Sequence, residues 1–283
     1  MTPAALSFDL LGSLELPASP LILSVPHAGR DYPLALRAAL RVPIEALIVL
    51  EDRHVDDLAH AARATETMLV QRPARAWIDL NRAESDRDPK IDEGVSPATR
   101  PIDSAKLRSG LGLIPRRAGR AGDMLRRRLS NEEVVARIRA DHRPYHQALS
   151  AALTAARARF GIAILVDLHS MPPPGHADIV FGDRFGRTAA TRFVHRLEAV
   201  AEAAGLRHAL NTPYSGGHIL ERHAEPARGV HAIQIEWGRH LYLDATMTAP
   251  GAGLGRTAGT LRAMLDALAD EACALGGLPI AAE

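Results

Sequence analysis

The chain has 283 residues, 47% hydrophobic and 24% charged, enough for one large α/β domain with a substantial core or for two small ones, of which one large domain is favoured. Its formal net charge of +1 argues against a general polyanion-binding role, so no nucleic-acid partner is expected, and a lone cysteine, Cys273, excludes an intramolecular disulfide and a cysteine-based zinc cluster. No apolar run reaches membrane-spanning length and the first residues lack a basic-then-apolar signal pattern, so a cytoplasmic protein without a membrane partner is expected.

In chain order, Leu-Ile-Leu-Ser-Val at 21–25 is a short apolar run ended by Pro26, with His27, Ala28 and Gly29 following as a turn. One or two helical turns are predicted from Leu34 to Leu40 and a helix from Asp56 to Thr65, with Glu51, Asp52, Arg53 and His54 between them. Met68 to Gln71 and Ala76 to Leu80 read as two further strands, the second leading into Asn81 and Arg82. Glu84 to Arg128 is polar and rich in Gly and Pro, too long for an ordinary connection of ~4–6 residues, and reads as a covering loop or small insertion. Ser130 and Glu133 have capping-box spacing and open a helix that runs to Phe160, bent or broken near Pro144 and stopped by Gly161.

The run Ile162 to Ser170 is the centre of the chain. Its apolar stretch has the length of a buried parallel strand and delivers His169 to the carboxyl end, where open α/β sheets bind ligands. A short strand at Asp178–Phe181, a helix from Thr188 to Ala204, a turn-rich loop at Asn211–Gly217, a strand from Gly229 to Glu236 and a closing helix from Gly255 to Ala274 complete the pattern. Cys273, late in that helix, reads as core packing.

Strand ends thus carry His27, His169 and Glu236, which in a parallel sheet line one crevice. Two imidazoles and a carboxylate are the donor set of catalytic zinc sites, with Glu51, Asp52 and Asp56 as further carboxylates if Glu236 moves protons instead. Singly, a histidine beside a turn is more often a structural hydrogen-bonding group, and His142 and His146, four apart around Pro144, read as helix surface or as support for ligands. Asp167 reads as a buried hydrogen-bonding acid, turned by strand alternation away from His169. The sequence has no Gly-x-Ser-x-Gly elbow, no dinucleotide fingerprint and no Walker loop.

Ser24-Val-Pro-His-Ala-Gly29, Asp79-Leu-Asn-Arg82, Tyr214-Ser-Gly-Gly217 and Gly229-Val-His-Ala-Ile-Gln-Ile-Glu236 together resemble the N-formylglutamate amidohydrolase family, in order, from about Leu21 to Asp244. The resemblance implies a single zinc-hydrolase domain over 1–283, a three-layer α/β/α sandwich around a mixed, mostly parallel sheet, related to zinc carboxypeptidases and aspartoacylases. It implies hydrolysis of an N-formyl or other N-acyl amino acid, a small molecule, to the free amino acid and formate or another acid. One Zn2+, or another divalent ion in its place, is expected on His27, His169 and a third ligand that Asp52 fits best, with Glu51 adjacent. Glu236 matches the general base. Asn81 and Arg82 resemble the pair used on a substrate carboxylate and the scissile carbonyl, with Arg82 also stabilising charge in the reaction, and Arg222 and Ser170 join the substrate-binding set. Two other functions fit the same motifs: a zinc peptidase or amidase for larger acylated substrates, contacted by Glu84 to Arg128, and a non-catalytic sensor of amino-acid derivatives.

Overall fold

The computed structural model describes residues 6–96, 105–173 and 177–276. Pro174, the last of the prolines after Met171, lies outside them. Its strands are β1 (Phe8–Leu11), β2 (Leu21–Val25), β3 (Thr67–Gln71), β4 (Ala163–Met171), β5 (Ile179–Gly182), β6 (His208–Leu210) and β7 (Val230–Gly238). The helices are α1 (Leu34–Ala39), α2 (Val55–Ala62), α3 (Ala105–Arg108), α4 (Asn131–Arg137), α5 (Arg143–Phe160), α6 (Thr191–Ala203), α7 (His218–His223) and α8 (Leu254–Gly276). The chain divides into two compact units. Unit 1 holds Pro26–Glu51, Gln71–His146 and the described residues before Leu10; unit 2 holds Leu10–Val25, Asp52–Val70 and the described residues from Gln147 on.

Unit 2 is built on the sheet, whose order is β1-β3-β2-β4-β7-β5-β6. β2 pairs in parallel with β3 and β4, β4 with β7, and β5 with β6, whereas β5 runs antiparallel to β7, so the sheet is mixed and mostly parallel as expected. Every residue of β2 and β4 is buried. That burial explains their unbroken apolar runs, since each fully buried Leu, Ile or Val contributes about 1.5–3 kcal/mol. α2 and α6 pack on α8, and these helices flank the sheet through β2, β4 and β5, while α7 packs on β4 and β7. Registers matter for function: Ser24 is paired with Asp167, and His169 with Glu236.

Unit 1 has its own core, in which Leu36, Leu47, Ile78, Leu80, Leu113, Met124, Leu129, Val134 and Tyr145 are buried. The described residues of the segment Glu84 to Arg128 lie here, and Leu113 and Met124 among them belong to that core. Ala76 to Leu80 is not a strand. Trp77 N bonds back to Ala74 O and the segment runs through turns, so its apolar residues pack in a loop rather than pairing as a strand. The capping box forms: Glu133 N donates to Ser130 Oγ and Ser130 N to a Glu133 carboxylate oxygen. The helix does not break at Pro144 but takes a π turn over Ile138–His142 between α4 and α5, and Gly161, at φ +76°, stops it. Cys273 is exposed on α8, not packed in the core, because it sits on the outward side of a helix whose Ala272 faces in.

Candidate metal and acid–base site

In unit 2, His169 sits near the end of β4 and is 3% exposed. Its Nδ1 is 2.9 Å from Asp52 Oδ2 and its Nε2 is 2.9 Å from Asp167 Oδ2. Asp167 therefore shares a face with His169 rather than turning away, because residues two apart on a strand point to the same side. The other oxygen of Asp167 accepts from Ser24 Oγ at 2.7 Å. Burial alone would lower the His169 pKa, but the Asp167 charge, its hydrogen bond, that of Asp52 and the charge of Glu236 together raise it well above the ordinary range.

Asp52 opens unit 2's second segment and is 5% exposed. Its Oδ1 lies 3.5 Å from Arg239 Nη2, while Arg239 Nε donates to Ser170 Oγ at 3.1 Å. Arg239 thus braces both a carboxylate and the residue after His169. Its role was legible only as a basic residue three past Glu236. Glu236 stands in register with His169 on β7, is 8% exposed, and accepts from Gln234 Nε2 at 2.9 Å. Arg222 is exposed on α7, and among the described residues no hydrogen bond or ion pair joins it to these groups.

In unit 1, His27 Nε2 is 2.7 Å from Asp79 Oδ1. Gly29 follows because a Cβ there would lie 2.3 Å from Pro73 O and 2.5 Å from Arg72 O. Asp79 is fully buried, receives Arg75 Nε at 2.8 Å and Asn81 N at 2.9 Å, and has Arg82 Nη2 at 3.6 Å. Burial would raise its pKa, but Arg75, Arg82 and His27 hold it well below the usual carboxylate range. Sequence reasoning did not single out Asp79; its signal was an acid in an apolar run, which must be partnered when buried. Arg82 donates from Nε to Leu111 O and from Nη1 to Asn81 O, so its fork is largely engaged by carbonyls. The neighbouring Glu51 is hydrogen-bonded to the Tyr32 hydroxyl.

The donor chemistry fits a metal ion. When each ring donates its Nε2 proton to an aspartate and gives up the one on Nδ1, which on His169 is hydrogen-bonded to Asp52, Nδ1 has the lone pair that a metal takes, the usual way a carboxylate fixes a ligand tautomer. Asp52 beside His169 Nδ1 adds an anionic oxygen.

The N-formylglutamate amidohydrolase family matches residues 19–243. The chain belongs to that family. An N-formylglutamate deformylase of Pseudomonas putida is 31% identical over 242 residues, covering 80% of this chain and 83% of that protein. The one of Pseudomonas aeruginosa is 31% identical over 268 residues, with coverage of 91% and 94%. A crystal structure of N-formylglutamate amidohydrolase from Ralstonia eutropha JMP134 superposes with a TM-score of 0.85 at 33% identity, over 95% of this chain and 99% of that one. A gene product of Agrobacterium tumefaciens shares the fold, with a TM-score of 0.60 at 21% identity over 94% and 96%. Among the described residues no helix is long and apolar enough to cross a membrane.

Proposed function

We propose that this family member hydrolyses the amide bond of N-formylglutamate or a closely similar N-formyl amino acid, releasing formate and the free amino acid. The relatives' names support the substrate, and the observation that carries the chemistry is the His169 arrangement: one ring nitrogen on Asp167, the other beside Asp52, and Glu236 in register on the next strand. One divalent ion, zinc by the family resemblance, would be held by His27, Asp52 and His169. In support of His27 as the third ligand, it follows β2 two residues past Val25, and β2 pairs in parallel with β4, the strand that carries His169. Asp52 is preferred to Glu51, whose carboxylate is taken up by Tyr32.

A bound divalent ion lowers the pKa of a water from about 15.7 to about 7 and polarises an acyl oxygen. Glu236 takes the proton of the attacking water and returns it to the leaving nitrogen, a role suited to a buried carboxylate. Arg82, with Nε and Nη1 engaged, offers Nη2 to the developing oxyanion rather than an open fork to a carboxylate. Asn81 and Ser170 contact the substrate, and Arg222, exposed and unbraced, is the candidate for its carboxylate. Glu236→Gln is expected to retain metal and to lose activity by about 10²–10⁴-fold in a formate-release assay on N-formylglutamate. Near-normal turnover would remove Glu236 from the mechanism.

A further inference from the structure

His142 and His146 take no part in the reaction above, yet both rings are fully buried in unit 1 with centroids 4.4 Å apart. His142 Nε2 is 2.8 Å from Arg82 O, and His146 Nε2 is 3.0 Å from Leu80 O. A carbonyl oxygen only accepts, so each Nε2 carries a proton and donates it. The two rings therefore grip the carbonyls on either side of Asn81. On its other groups the same stretch is tied by Asp79 to Asn81 N and by Leu111 O to Arg82 Nε.

The grip depends on an irregular helix. Pro144 has no N–H and its ring would clash with the carbonyl four residues back in a plain α-helix. The π turn over Ile138–His142, with Arg143 N bonded to Ile138 O, absorbs that clash. One extra residue in the turn rotates the preceding helix by about 100° about its axis. His142 and His146, four apart, stay on one face and act together. π turns of this kind recur at functional sites.

We infer that His142 and His146 are positioning residues that hold Leu80–Arg82 so that Arg82 meets the substrate. The inference rests on the role proposed for Arg82. It separates from simple satisfaction of buried carbonyls, because a positioning residue acts through Arg82 and a purely structural one does not.

A mutant cycle on formate release from N-formylglutamate tests it, using the metal-loaded protein as isolated. Gln places an amide N–H where imidazole Nε2 lies, whereas Asn reaches only as far as Nδ1. His142→Asn is expected to lower kcat/KM by about 10–100-fold with metal content unchanged, and His142→Gln to recover most of that loss. In an Arg82→Met background, His142→Asn is expected to cost no more than about twofold, since two residues acting as one unit are not additive. Equal fold-losses in both backgrounds overturn the inference, as does wild-type kcat/KM in His142→Asn while Arg82→Met is impaired. Wild-type activity in Arg82→Met overturns the Arg82 assignment and the inference together. If His142→Asn gives no folded protein, the same cycle with His146→Asn and His146→Gln decides on the same criteria.

Discussion

His27 and His169 each bring Nε2 to a buried aspartate, at 2.7 and 2.9 Å, but the two aspartates are held by different means. Asp167 lies inside β4, where the strand ladder fixes its backbone and one neutral hydroxyl, Ser24 Oγ, completes its bonding. Asp79 lies in a turn-rich segment with no ladder, and it is fixed by charge, between Arg75 and Arg82. An aspartate on a strand needs few partners to hold it. One in a loop needs ion pairs to replace the missing backbone order.

The comparison can be broken most directly by stability. Asp79→Asn leaves two guanidinium groups without their buried partner and is expected to cost about 3–5 kcal/mol, against less for Asp167→Asn, after which the His169 imidazolium keeps Asp52 and Glu236, read from urea unfolding of the metal-free proteins. Equal costs would mean that the charge on Asp79 does not compensate for the loop. Metal affinity sharpens the same contrast. On the proposed ligand set, both substitutions are expected to weaken binding of a divalent ion, with zinc as the probe, by about 10–100-fold in chelator competition, because each frees a ring to turn; an unchanged affinity in either would detach that aspartate from the proposed site.

A third histidine gives the smallest effect. Among the described residues His231, near the start of β7, has no carboxylate partner, and burial first and Arg192 second push its pKa down to about 4. Between about 6.5, the unfolded value, and about 4 the unfolded chain binds the extra proton, so stability falls as pH falls through that window. His231→Gln is expected to flatten this limb by at most about 1.4 kcal/mol per pH unit in pH-dependent urea titrations. An unaltered slope would show that His231 titrates normally.

The central strands were legible because burial on both faces writes itself as an unbroken apolar run: Leu21–Val25 was read with its observed limits, and Ala163–Met171 and Val230–Gly238 within a few residues. From those strands the sequence leads one to expect His27, His169 and Glu236 at one end of a parallel sheet, but not that the strands of His169 and Glu236 are neighbours in register. Two short strands, Phe8–Leu11 and His208–Leu210, were missed because they are partly exposed and carry little apolar signal. Ala76 to Leu80 misleads in the opposite sense, since a short apolar run buried in a loop has the length and composition of a strand. The aspartates were hardest to read: Asp167 was assigned to the wrong face, and Asp79 stood in a quoted motif without a job. Hydrogen bonding across 52 residues, from His27 to Asp79, leaves no periodic trace in the chain.

The pairing of Ser24 with Asp167 makes the first motif a word with two meanings. His27 is the residue in it that the proposed site uses, but Ser24, three residues earlier, gives its hydroxyl to the partner of the other histidine. The motif cannot then be transplanted or diversified as a self-contained cassette. A library that varies residues 24–29 to retune His27 would also disturb His169 from a distance, and a compensating change would have to be sought on β4 rather than within the motif.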